Sequence, residues 1–161
     1  MIRKWLLAIV GVGGWLWYLG SQRRLVISHL PYSDLILSSA KKHQVDPKLI
    51  ASIIKIESNF RADAIGDNGT SYGLMQVNCS SNLTGAISTA RVVGFRGACL
   101  DLLDPATGID IGTAYLARQL DRYGGDGVVD YNTGYPYHSD GSLKTGTNNY
   151  AQRVMEFYRS L

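Results

Sequence analysis

Glu57 is one of only two glutamates in a chain of 161 residues, and its surroundings, LIASIIKIESNF, are greasy. The segment opens at Asp46-Pro47, an N-cap acceptor followed by a residue tolerated at the first helical position. At ~100° per residue, Lys48, Ser52, Lys55 and Asn59 form one polar stripe. Leu49, Ile50, Ile53, Ile54 and Phe60 gather opposite, and Glu57 falls among them, roughly 160° from the centre of the polar stripe. The pattern aims a carboxyl at the core. Burial disfavours its charged form and lifts its pKa towards neutrality, where it can donate a proton. A glycosidic oxygen needs such a donor, because an alkoxide leaves poorly until protonated. The other glutamate, Glu156, lies among Gln152, Arg153 and Arg159, opposite an apolar stripe, and reads as a solvated surface residue.

The elements that must position Glu57 are mostly helical. A helix is predicted from Tyr32 or Ser33 to His43, and the Asp46-Pro47 helix follows. From Phe60 to about Leu83 the sequence turns repeatedly, through Gly66, Asp67-Asn68-Gly69 and Tyr72-Gly73. A further helix is expected over Thr84 to Val93. Asp104-Pro105 starts a long one, with Ile109, Thr113, Leu116, Leu120 and Tyr123 at helical spacing until Gly124-Gly125. A short helix from Val128 to Gly134 leads into a polar loop. Asn148 to Ser160 is amphipathic, with Tyr150, Val154, Phe157 and Tyr158 on one side. No strand pattern is strong, so the fold class is mainly α.

Length allows one domain with a real core. The formal charge of +3 is too weak, without basic runs or interleaved aromatics, to argue for nucleic acid. His29, His43 and His138 are isolated, and neither CxxC nor HExxH occurs, so no metal is expected. The N-terminus differs in kind. Residues 1–24 hold WLLAIVGVGGWLWYLG between Arg3-Lys4 and Arg23-Arg24, the length of a short membrane span with Trp15, Trp17 and Tyr18 suited to the interface. A cleaved signal is the alternative, but Trp17, Tyr18 and Leu19 are bulky and give no A-x-A-like site. The expectation is a membrane-anchor helix at 1–24 and a domain at 25–161, joined by a linker reaching Pro31. With that domain exported, Cys79 and Cys99 are candidates for a disulfide; unpaired thiols are the alternative.

IIKIESNFRADAIGDNGTSYGLMQVN, LLDPATGIDIGTAYLARQLDRYGGD, DYNTG and NNYAQRV, in this order and spacing, resemble the catalytic domain of soluble lytic transglycosylases, relatives of goose-type lysozyme. The likeness runs from about Tyr32 to Tyr158. YGLMQVN also resembles the small transglycosylases that accompany conjugation and type IV secretion machines, and similar domains occur in phages. The resemblance implies a lysozyme-like α-helical domain with Glu57 as acid/base, and Ser58 supporting it or the loop beside it. Gly73, Leu74, Met75 and Gln76 would form one wall of a glycan cleft, with Gln76 bonding sugar amides and Met75 facing a pyranose. Tyr131 would bring its hydroxyl near Glu57, Asn132 would bond the sugar, Gly134 would permit close approach, and Tyr150 would line the cleft.

The implied reaction cleaves the β-1,4 bond between N-acetylmuramic acid and N-acetylglucosamine and leaves a 1,6-anhydro end. No cofactor is implied. Implied partners are peptidoglycan strands, the membrane through the N-terminal segment, and a secretion, conjugation or phage assembly, with the domain on the periplasmic or wall-facing side. A lysozyme-type hydrolase is the nearest alternative, with Asp63 or Asp67 positioning water. A silent, membrane-tethered glycan-binding module is the alternative from another class. Asp130 stands where the family usually has a small residue before its Tyr-Asn; pointing to solvent is its expected fate, and pointing into the cleft would make it a second carboxylate.

Overall fold

The computed structural model describes residues 26–79, 89–134, 137–142 and 149–161. The expected anchor at 1–24 lies outside these residues. No helix among the described residues is long and apolar enough to cross a membrane.

Among the described residues six α-helices carry the structure: α1 (Ser33–His43), α2 (Pro47–Ser58), α3 (Thr89–Val92), α4 (Pro105–Tyr123), α5 (Gly127–Thr133) and α6 (Tyr150–Ser160). Local chemistry sets their ends. The Asp46 carboxylate accepts from the Lys48 amide at 3.0 Å, and Pro47 follows it in the first turn of α2. Asp104 does the same for α4, accepting from the Thr107 amide at 2.9 Å, and the helix stops at Gly124. The chain leaves α2 through two left-handed residues, Asn59 and Phe60. Of the helix expected over 84–93, only Thr89–Val92 falls among the described residues.

Between α2 and α3 lie three strands of two residues each: β1 (Ile65–Gly66), β2 (Ser71–Tyr72) and β3 (Val77–Asn78), antiparallel in that order. The expectation of turns alone is corrected to this extent. Strands this short have no room to display a two-residue period. Cys79, just after β3, is joined to Cys99 by a disulfide with Cα atoms 5.6 Å apart, so the unpaired-thiol alternative falls.

The core forms around α2. Ile50, Ile53 and Ile54 are fully buried, packed with Ile36 of α1, Ile109 and Leu116 of α4, and Val154 of α6. Burying each such side chain contributes about 1.5–3 kcal/mol. Ile27, in the stretch read as a linker, is also fully buried and joins this core. Ser52 is a second correction. It is buried rather than on the solvent stripe, and its hydroxyl donates to the Lys48 carbonyl at 2.6 Å, which satisfies it inside the helix. On the outer side, Lys42 and His43 of α1 both meet the Asp110 carboxylate of α4 at 2.7 Å.

The loop Gly73–Gln76 threads between α2 and α4. Gly73 has φ +75, its amide donates to the Ala64 carbonyl at 2.8 Å, and a Cβ there would run into the Leu102 carbonyl oxygen. Gly112 of α4 lets the same loop approach from the other side, since a Cβ there would stand 2.6 Å from Met75 Cβ. Both contacts require glycine for space, and Gly73 also for backbone conformation. Gly73→Ala is therefore expected to destabilise the fold by about 2–4 kcal/mol, combining left-handed strain with a backbone clash. Urea unfolding checks this, and a loss under about 0.5 kcal/mol, the scale of a neutral surface change, would refute it.

Candidate active site

Glu57 stands in the last turn of α2, part-buried, where α2, the β1–β3 loops, α5 and α6 converge. It borders a cavity of about 260 Å3 lined also by Asp67, Ser71, Gln76, Asn78, Thr89, Tyr115, Tyr131, Asn132, Thr133 and Gly134. The sequence aimed this carboxyl inward, and the fold places it at the cleft floor.

The Tyr150 hydroxyl, at the start of α6, donates to Glu57 Oε1 at 2.7 Å. Removal from water pushes the Glu57 pKa up to about 7. The Tyr150 hydrogen bond, which favours the ionised form, opposes that rise; the Asp67 charge adds to it, and the Arg153 charge counters it. The carboxyl thus holds its proton near neutrality yet keeps a donor ready for its anion. Burial and the facing Glu57 charge hold the Tyr150 phenol well above its ordinary value, so it remains a donor.

Tyr131 lies in the cleft wall, but its hydroxyl donates to the Met75 carbonyl at 2.8 Å. The expected phenol at Glu57 is present, but it is Tyr150 that supplies it. Burial, and after it the nearby Glu57 charge, hold the Tyr131 phenol well above its ordinary value. Its ring packs on Tyr115 at 5.5 Å between centroids.

The GLMQ stretch is corrected more heavily. Leu74 and Met75 are core residues, 1% and 0% exposed, and neither side chain reaches the cleft. Met75 is instead packed against Gly112, with the Thr113 hydroxyl 3.7 Å from its sulfur. Gly73 is buried under the Leu102 carbonyl. Gln76 does face the cleft, but its amide NH2 donates to the carbonyls of Gly73 and Ala64 at 2.9 and 3.1 Å. The donor assigned to sugar is thus engaged in holding the loop. Ser58 is buried with its hydroxyl on the Leu74 carbonyl at 2.9 Å, tying the end of α2 to that loop and matching the second of its two expected roles.

Asp130 is 1% exposed, contrary to the solvent orientation expected. Its carboxylate lies 3.5 Å from the Tyr115 hydroxyl, beneath the cleft wall rather than in the cavity lining. Burial, with Asp130 next in weight, pushes the Tyr115 phenol up to about 12. Of the two aspartates considered as water-positioning partners, Asp67 lines the cleft and accepts from the Ser71 hydroxyl at 2.6 Å. Asp63 has an 85% exposed side chain and faces Arg61 at 3.7 Å, away from the cavity.

Ser71, Asn78, Thr89, Tyr115 and Thr133 also border the cavity and were not singled out in the sequence. They come from five separate elements, and no spacing pattern unites them. Arg153 was read only as a neighbour of Glu156. Its position three residues after Tyr150, hence on the same helix face, was the available signal.

The family described as Transglycosylase SLT domain matches residues 34–153. The chain is 40% identical over 88 residues to membrane-bound lytic murein transglycosylase E of Buchnera aphidicola (subsp. Acyrthosiphon pisum), covering 53% of this chain and 38% of that protein. It is 35% identical over 107 residues to membrane-bound lytic murein transglycosylase C of Yersinia enterocolitica, covering 62% of this chain and 29% of that one. It therefore spans well under half the length of these relatives. An inactive mutant of lytic transglycosylase Slt from Pseudomonas aeruginosa superposes with a TM-score of 0.60 at 21% identity, over 81% of this chain and 24% of that one. This last likeness establishes a shared, lysozyme-like fold.

The Glu57 environment has two measurable consequences. Its pKa is higher folded than its ordinary 4.5, so folding takes up a proton between pH 4.5 and 7 and this residue's contribution to stability falls as pH rises through that window. Glu57→Gln is expected to be more stable than the parent by about 1–3 kcal/mol at pH 8 and equal to it near pH 4. Thermal melts at the two pH values check this, and a gain independent of pH would refute it. Tyr150→Phe removes the hydrogen bond that lowers the Glu57 pKa, so carboxyl carbon NMR should show titration shifted upward from about 7. A downward shift would contradict the assignment.

Proposed function

The chain belongs to the transglycosylase SLT domain family, and from that membership we propose that it is a peptidoglycan lytic transglycosylase with Glu57 as its acid/base. The observation that carries the reading is the carboxyl itself: part-buried on the cleft floor, with a pKa near 7, and held by Tyr150. Protonated Glu57 delivers its proton to the oxygen bridging N-acetylmuramic acid and N-acetylglucosamine as the bond to C1 breaks. The sugar's own N-acetyl group supports the positive charge that develops. Tyr150, already donating to Oε1, stabilises the carboxylate left behind. That carboxylate takes the proton from the C6 hydroxyl of the same sugar, and the freed oxygen closes on C1. One proton is given and one taken back, no water is added, and a 1,6-anhydro end results.

Asn132, Gln76 and Tyr131 line the path of the glycan, with Ser71, Asn78, Thr89 and Thr133 supplying further hydroxyl and amide groups suited to sugars. Ser58, Gly73, Leu74 and Met75 act through the loop that they fix. The relatives' names, membrane-bound lytic murein transglycosylases E and C, support a membrane-held enzyme: residues 1–24 as anchor or signal, residues 25–161 as the catalytic domain on the wall-facing side. A secretion, conjugation or phage assembly as the user of the enzyme rests on the YGLMQVN resemblance alone.

Hydrolysis is the second reading. Asp67 favours it, since it lines the same cavity and its charge is felt at Glu57. Mass spectrometry of muropeptides released from purified peptidoglycan separates the two. Anhydro products, one water lighter than reducing ends and absent with Glu57→Gln, are expected; ordinary reducing ends would replace the transglycosylase with a hydrolase. Because the acid must be protonated, the rate should fall above pH 7, about tenfold per unit. An alkaline optimum would exclude Glu57 as the proton donor.

A further inference from the structure

The cleft continues past Glu57. A second hollow of about 530 Å3 opens on the other side of the same carboxyl, and Glu57 and Gln76 border both. The two hollows differ in charge. Among the described residues the first is lined by hydroxyls, amides and the acids Glu57 and Asp67, with no lysine or arginine. The second is lined by Lys55, Arg61 and Arg153, with Glu57 as the one acid among the described residues.

These cations are poorly neutralised from within. Arg153 joins no ion pair among the described residues. Lys55 donates to the neutral amide oxygen of Asn59 at 2.5 Å and lies 5.9 Å from the centre of the Phe157 ring, and it joins no ion pair among the described residues. Arg61 meets Asp63 only at 3.7 Å, with side chains 69% and 85% exposed, a pair of little worth in water. Arg153 also acts on Glu57, whose proton it helps to remove, so its charge projects into the reaction centre. A guanidinium pair and an ammonium around one hollow offer forked donors and point charge to a carboxylate.

We propose that this second hollow is a carboxylate subsite that takes the acidic substituent of a muramyl residue beside the scissile bond. The proposal deepens the function put forward above and rests on it for the identity of the polymer. In a peptidoglycan strand only every second sugar bears an acid, either its lactyl group or the peptide stem built on it. Cations on one side of the proton donor therefore select which of the two alternating linkages lies over Glu57. A uniform neutral polymer of N-acetylglucosamine gains nothing from them.

The test uses the full chain carrying Glu57→Gln, which preserves ligands during binding, beside the same protein with Lys55→Gln, Arg61→Gln and Arg153→Gln added. Calorimetry is run with three glycans of equal length: stem-bearing, stem-stripped with free lactyl carboxylates, and neutral N-acetylglucosamine oligomer. At least one of the two acidic strands should bind about tenfold more tightly than the neutral oligomer, and the triple change should abolish that preference. Gain from the stem-stripped strand alone identifies the lactyl carboxylate as the contact, gain from the stem-bearing strand alone identifies a stem carboxylate, and equal gain from both identifies a subsite that takes either acid. Equal binding of all three, or a preference that survives the triple change, overturns the subsite. Turnover by the unsubstituted enzyme keeps the two proposals apart. Anhydro products formed equally well from acidic and neutral glycans would overturn the subsite and leave the reaction standing. An intact binding preference with no product from any substrate would overturn the reaction alone.

Discussion

The Tyr150–Glu57 hydrogen bond, 2.7 Å long and spanning 93 residues of sequence, is the contact on which the site depends. Burial alone would hold the carboxyl neutral and make its anion costly to form. Full solvation would ionise it at neutral pH and end its use as an acid. One neutral donor, itself kept protonated by burial, sits between these extremes. Both states of Glu57 are then accessible, as a group that first gives and then takes a proton requires.

Much of the remaining fold fixes the geometry of that contact. Ser58 ties α2 to the Gly73–Gln76 loop, Gln76 clamps the loop to itself and to Ala64, and Tyr131 closes over it through the Met75 carbonyl. Gly73 and Gly112 allow the loop to lie close against Leu102 and α4. The GLMQ segment is thus less a lining of the cleft than its internal brace. Leu74 and Met75 fill the core beneath, and the polar atoms that meet the cleft come from neighbouring turns and from α5.

Helical phase made the inward aim of Glu57 legible, because neighbours three and four residues away report a side chain's direction. Capping chemistry gave the starts of α2 and α4 to the residue. Phase could not tell which of two tyrosines reaches Glu57, since Tyr131 and Tyr150 lie on different helices whose docking no local pattern encodes. Ser52 looked like solvent-facing polarity, yet a hydroxyl that bonds its own helix backbone is free to be buried. Asp130 was expected to face solvent, and it lies instead against Tyr115, on another helix that no local pattern brings near. The short strands left no trace because two residues cannot alternate.

Helices α2 and α6 run antiparallel and are bolted twice. Tyr150 meets Glu57 at one end, and at the other the Tyr158 hydroxyl donates to Asp46 at 2.9 Å. Two bonds a helix-length apart fix rotation and translation together: a slip of α6 by one turn would break both. Order of synthesis then matters. A chain emerging from the ribosome presents α2 and its carboxyl many seconds before α6, at roughly 5–20 residues per second. Until Tyr150 has been made and docked, Glu57 has no hydroxyl to stabilise its anion. The pocket is completed by a helix made after the one that bears its carboxyl, so a chain that has reached only α2 carries the acid without its hydrogen-bond donor.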